Sequence, residues 1–130
     1  MQTIGQHCLL DAYGIDVALA QDEQRLAQVL QQAALAADAT ILGSHFHTFG
    51  GGGGVTGVLL LAESHLSIHT WPEHAYAAVD IFMCGHHRME AALTVLRTGL
   101  QTTHSETSVV NRGGQVAGVQ SKDMVLGGKA

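Results

Sequence analysis

Nine histidines fall among 130 residues, and four of them stand in two short pairs, His45 with His47 and His65 with His69. On strands both spacings put the imidazoles of a pair on one face, as a metal centre on a β scaffold needs. Such a centre would also want a carboxylate soon after His47, where the chain reads TFGGGGG and brings no acid before Glu63. The other histidines (His7, His74, His86, His87 and His104) read more simply as hydrogen-bonded or exposed side chains, so no metal is expected. Serine hydrolysis fares no better, because no serine occupies a strand-to-helix elbow. The run Gly50 to Gly54 lacks the Lys and Ser or Thr of a phosphate loop, and a strand follows it. What stands out is residues 63 to 85, ESHLSIHTWPEHAYAAVDIFMCG. There a Glu-Ser bond, a histidine five residues on and a terminal Cys-Gly are set among apolar strand residues.

The elements that must hold these groups follow from periodicity. Residues 7 to 13 read as a strand. Asp22 and Glu23 then open a helix with Leu26, Val29, Leu30 and Ala33 on one stripe, acidic where the helix dipole is positive. Residues 40 to 48 read as a strand, and Gly50 to Gly54 as a mobile loop. Three further strands are expected at 55 to 63, 65 to 70 and 75 to 83, with Trp71-Pro72-Glu73 as the break before the last. Their short connections favour antiparallel neighbours. A second helix presents Met89, Ala92, Leu93, Leu96 and Leu100, with Gly99 as its stop signal. Residues 101 to 110 make a last strand, and the glycine-rich tail from Arg112 onward is expected to be poorly ordered. This order specifies an α+β, two-layer sandwich: an antiparallel sheet with helices on one face. Both alternating sets of 55 to 63 are apolar (Val55, Leu59, Leu61 against Val58, Leu60, Ala62), so this strand is expected to be buried on both sides. A second protomer is the expected cover for the outer face.

A chain of this length with 46% hydrophobic and 13% charged residues holds one core, so residues 1–130 are read as one domain. Acidic residues outnumber basic ones 11 to 6, and no Lys or Arg falls between Arg25 and Arg88. Nucleic acid is therefore not an expected partner. The longest aliphatic run, Val58 to Ala62, is far too short to span a bilayer, and the opening MQTIGQHCLLDAYG lacks the positive end of a secretory signal. A cytoplasmic location without membrane contact is expected. Cys8 and Cys84 make no disulfide framework, and Cys8 reads as structural.

The 63 to 85 block resembles the bacterial and archaeal S-adenosylmethionine decarboxylase proenzymes. HCLLDAYG at 7 to 14 is similar to that family's first strand and FHTF at 46 to 49 to its second, while GVTG at 54 to 57 precedes the long block at the expected distance. The resemblance implies self-cleavage at Glu63-Ser64: the Ser64 hydroxyl attacks the preceding carbonyl, and β-elimination opens the resulting ester. Residue 64 then becomes a pyruvoyl group, a covalent cofactor made from the chain, with loss of ammonia. Chains 1–63 and 64–130 result, of 63 and 67 residues. His69 resembles the family's base for processing. Thr56 stands where the family usually has a serine that assists the acyl shift; it keeps the oxygen but adds a stiffening methyl group.

The resemblance further implies that S-adenosylmethionine forms a Schiff base with the pyruvoyl carbonyl and loses carbon dioxide, with no metal or external cofactor. Cys84 resembles the general acid that then protonates carbon, and a thiol with reference pKa near 8.5 is mostly protonated at neutral pH. Phe49 and Trp71 resemble aromatic residues placed around the adenine, and Glu73 is positioned to accept from the ribose or face the sulfonium. A dimer of processed protomers, sheet faces meeting, is implied as well. One departure is the five-glycine run where the family commonly has a proline-containing loop, which means a greater entropic cost of closing on a ligand or a smaller amine in the pocket. Arginine and ornithine thus stay open as alternative substrates of the same chemistry, and a non-processing regulatory homologue as an alternative role.

Overall fold

The computed structural model describes residues 4–62, 64–84 and 87–116. Six strands form one antiparallel sheet: β1 (Gly5–Tyr13), β2 (Ile41–Thr48), β3 (Val55–Leu61), β4 (Ser64–Trp71), β5 (Tyr76–Cys84) and β6 (His104–Arg112), in the spatial order β2-β3-β4-β5-β1-β6. Helices α1 (Val17–Ala20), α2 (Glu23–Ala36) and α3 (Met89–Leu100) supply the second layer, and a single 3₁₀ turn, Pro72–His74, links β4 to β5. The core lies between the layers. Cys8, Leu10, Leu59, Leu66, Ile68, Val79, Ile81 and Met83 face Leu26, Leu30, Leu93, Leu96 and Leu100 there, all 0–2% exposed. Among the described residues no helix is long and apolar enough to cross a membrane.

Local chemistry explains the boundaries. The Asp22 carboxylate accepts from the Arg25 amide at 3.1 Å and caps α2, where the sequence places the helix start. At α3 the expected stop moves. Gln101, in the left-handed region at φ 54°, ends the helix, whereas Gly99 lies inside it against Val29, where a Cβ would come within 2.7 Å of that side chain. Gly99 is thus a helix-packing residue. The Gly50 to Gly54 run is also tighter than expected: Phe49 N donates to Gly54 O at 2.9 Å, Gly53 N to Gly50 O at 3.2 Å, and Gln21 Nε2 to Gly52 O at 2.7 Å. Gly51 and Gly52, at φ 67° and 79°, make this closed turn accessible to the backbone.

Two more expectations change. The last strand is His104–Arg112 rather than 101 to 110, because Thr102 and Thr103 bond to Tyr13 O and fix the entry to β6. Of the expected tail, residues 117–130 lie outside the described residues. Strand β3 is buried on one face only: Val55, Leu59 and Leu61 are inside, whereas Leu60 is 56% exposed. The helices cover one side of the sheet, and none of the described residues covers the other.

Candidate active site

The residues singled out by sequence fall into two groups at opposite ends of the sheet; Cys84, Thr56 and His69 lie in the phase of its open face, whereas Ser64 shares the phase of Leu66 and Ile68, which face the helices. At one end, Ser64 opens β4; its hydroxyl donates to Ala62 O at 3.4 Å. The next residue, His65, pairs with Phe82, which brings Ser64 beside the end of β5 that carries Cys84. Cys84 itself stands opposite Gly5 of β1. Glu63, the other side of the expected scissile bond, lies outside the described residues.

At the other end, Thr56 and His69 face each other across β3 and β4, and Thr56 Oγ1 meets His69 Nδ1 at 3.1 Å. Phe49 lies there too, 52% exposed, its ring edge-on to His47 at 4.6 Å. Trp71 sits 6.1 Å from the His69 ring, and Glu73 is exposed in the 3₁₀ turn just beyond. Five residues of strand, about 16 Å at the rise of a β-strand, separate Ser64 from His69. The pairs Ser64–Cys84 and Thr56–His69 therefore do not meet within one chain.

A ladder of rings that sequence reasoning missed crosses the second end. Trp71 stacks on Tyr76 at 5.4 Å, Tyr76 on Tyr13 at 5.4 Å and Tyr13 on His104 at 5.6 Å. Tyr76 Oη donates to Asp11 at 2.6 Å. That bond, followed by burial and by the Asp11 charge, pushes the phenol up to about 12. Burial, with the Asp11 and Glu106 charges, raises Tyr13 as well. The signal was present in the period-two phase of 7 to 13, which sets His7, Leu9, Asp11 and Tyr13 on one face. His7, expected to be bonded or exposed, is neither at its Nε2, which is buried without a partner among the described residues. Cys8 is buried on the helix side, where desolvation raises its thiol, in keeping with a structural role. His45 and His47 lie on edge strand β2. Among the described residues no three His, Cys, Asp or Glu side chains converge.

The architecture is thus that of an α+β sandwich with one sheet face open among the described residues. The family model described as S-adenosylmethionine decarboxylase matches residues 6–113. An S-adenosylmethionine decarboxylase proenzyme of Parasynechococcus marenigrum (strain WH8102) is 52% identical over 99 residues, 75% of this chain and 77% of the relative. Its counterpart in Hydrogenobaculum sp. (strain Y04AAS1) is 41% identical over 113 residues, covering 86% and 84%. A solved adenosylmethionine decarboxylase from Aquifex aeolicus superposes with a TM-score of 0.78 at 36% identity, over 87% of this chain and 93% of that one. The chain belongs to the S-adenosylmethionine decarboxylase family.

Proposed function

We propose that this chain is a proenzyme that cuts itself between Glu63 and Ser64 and then decarboxylates S-adenosylmethionine, yielding the aminopropyl donor for spermidine synthesis. The observation that carries the mechanistic reading is the division of these residues between two ends of the sheet. Ser64 and Cys84 mark one end, and Thr56, His69, Phe49, Trp71 and Glu73 the other. A second copy laid face to face about a two-fold axis sets each Ser64–Cys84 end over the partner's Thr56–His69 end, giving two composite sites per dimer. The same packing covers the exposed Leu9, Leu60 and Val110, which are 42%, 56% and 44% accessible in one chain.

The residues suit a pyruvoyl group formed at position 64. Ser64 begins its strand, and only two residues separate it from its partner Leu61, so a cut before it falls in the β3–β4 turn. In maturation the Ser64 hydroxyl attacks the Glu63 carbonyl while the peptide C–N bond breaks. His69, oriented by Thr56, then takes the α-proton of residue 64, and Glu63 leaves as a carboxylate. Water then replaces the nitrogen of the resulting enamine, which departs as ammonia, and the carbonyl so formed draws electrons from the substrate as carbon dioxide departs. Cys84 holds the proton that is delivered to carbon afterwards. Phe49 and Trp71 offer flat faces to the adenine, and the Glu73 carboxylate attracts the sulfonium or accepts from the ribose.

Carbon dioxide release from S-adenosylmethionine, arginine and ornithine, each given to the purified protein, tests this reading. Turnover of S-adenosylmethionine supports it. Turnover of the amino acids alone contradicts the substrate, and no turnover by an uncut chain favours a binding role.

A further inference from the structure

We infer that His7 is a positioning residue of the mature site, holding His65 and through it the chain end at residue 64. The inference rests on the reading above, in which residue 64 becomes the reactive carbonyl. His7 of β1 pairs with Phe82 of β5, and Phe82 pairs with His65 of β4, so three rings make one row across the open face. His65 stacks on Phe82 at 5.8 Å, while His7 meets both edge-on, at 5.9 Å from Phe82 and 6.2 Å from His65. The row abuts the Cys84 end of the sheet: the Phe82 ring leans over Gly5, the partner of Cys84, where a Cβ would come within 3.0 Å of it.

Among the described residues, His7 Nε2 is the buried side-chain nitrogen or oxygen left without a hydrogen-bond partner. Such atoms are rare in folded proteins and mark a strained, liganded or functional group. The surroundings suggest which. His65 directly follows Ser64, so its backbone nitrogen carries the acyl carbon of residue 64, and a ring fixed at His65 fixes the reactive group one peptide away. While the chain is whole, residue 64 is tied to residue 63. Once cut, it is a terminus free to turn, and Nε2–H of His7 is the donor waiting for an oxygen at that end.

Two variants separate this role from packing. H7F keeps a ring in the row and loses the nitrogen, whereas H7Q returns an amide nitrogen near the Nε2 position. We expect H7F to lower kcat about tenfold or more, one lost polar contact in the transition state, with KM within about twofold. H7Q should recover most of the loss. A processed H7F with wild-type kcat overturns the inference. Imidazole ¹⁵N shifts read the same point without altering His7: the Nε2 resonance should differ between the mature wild type and the uncut S64A chain. Equal shifts in both contradict it, including the case in which a second copy supplies the missing partner before the cut. A wild-type chain that never splits overturns the proposed function itself, whereas an active, split wild type with an unaffected H7F overturns only the role of His7.

Discussion

Ser64 occupies the first position of β4, where a broken peptide falls in the turn that joins it to β3. Replacing its hydroxyl removes the attacker and little else, so S64A should fold, keep its melting temperature within a few degrees and remain a single chain on denaturing electrophoresis. The Thr56–His69 contact invites a graded test. T56V deletes the oxygen that orients His69 and should slow splitting at least about tenfold, equivalent to a hydrogen bond worth about 1.4 kcal/mol, while T56S should split at least as fast as the wild type. Time courses of fragment appearance after synthesis decide between them. Ser64, His69 and Cys84 could be singled out from the sequence because they sit inside a long, distinctive block. The contacts of His7 and Tyr76 could not, because each depends on a partner from a strand more than 50 residues away, which no local window contains.

Strands and helices hold these groups through a few buried or half-buried polar contacts. Thr70 is 6% exposed; its hydroxyl donates to Ala20 O at 2.6 Å and accepts from Val55 N at 2.8 Å, tying β4 to the end of α1 and the start of β3. T70V keeps the shape and strands both backbone groups, which should cost about 1–3 kcal/mol in urea unfolding. The Tyr76–Asp11 bond joins β5 to β1 and makes stability depend on alkaline pH. The folded phenol lies at about 12, above its ordinary 10, so its contribution is whole below pH 10 and disappears as pH climbs toward 12. Y76F should flatten that part of the stability curve, as followed by chemical denaturation at stepped pH. Helix α2 was readable from its Asp22 cap and apolar stripe. The Gly99 assignment failed because a glycine's purpose is set by what packs beside it, here Val29, whereas the five-glycine run is a loop as expected, tied back by Gln21.

One chain presents a finished core on its helix side and, among the described residues, an open sheet face on the other, and periodicity foretold half of this. The apolar residues on both sides of β3 signalled a covered outer face, yet the single chain buries one side alone. What no sequence pattern disclosed is which neighbours the two ends of β4 meet, Thr56 beside His69 and the Cys84 end of β5 beside Ser64, and on the proposed reading the chemistry belongs to a pair of chains. Co-expressing S64A with H69A should therefore restore cutting of the H69A chain, since a mixed dimer sets its Ser64 against an intact His69; failure to cut in verified mixed dimers contradicts the composite site. Most direct of all is the intact mass of freshly purified wild-type protein under denaturing conditions. Two fragments are expected, covering residues 1–63 and 64–130, the second blocked at its amino terminus and lighter by one ammonia than a 64–130 chain beginning with an ordinary serine. A fully active preparation consisting of one uncut chain would contradict the account.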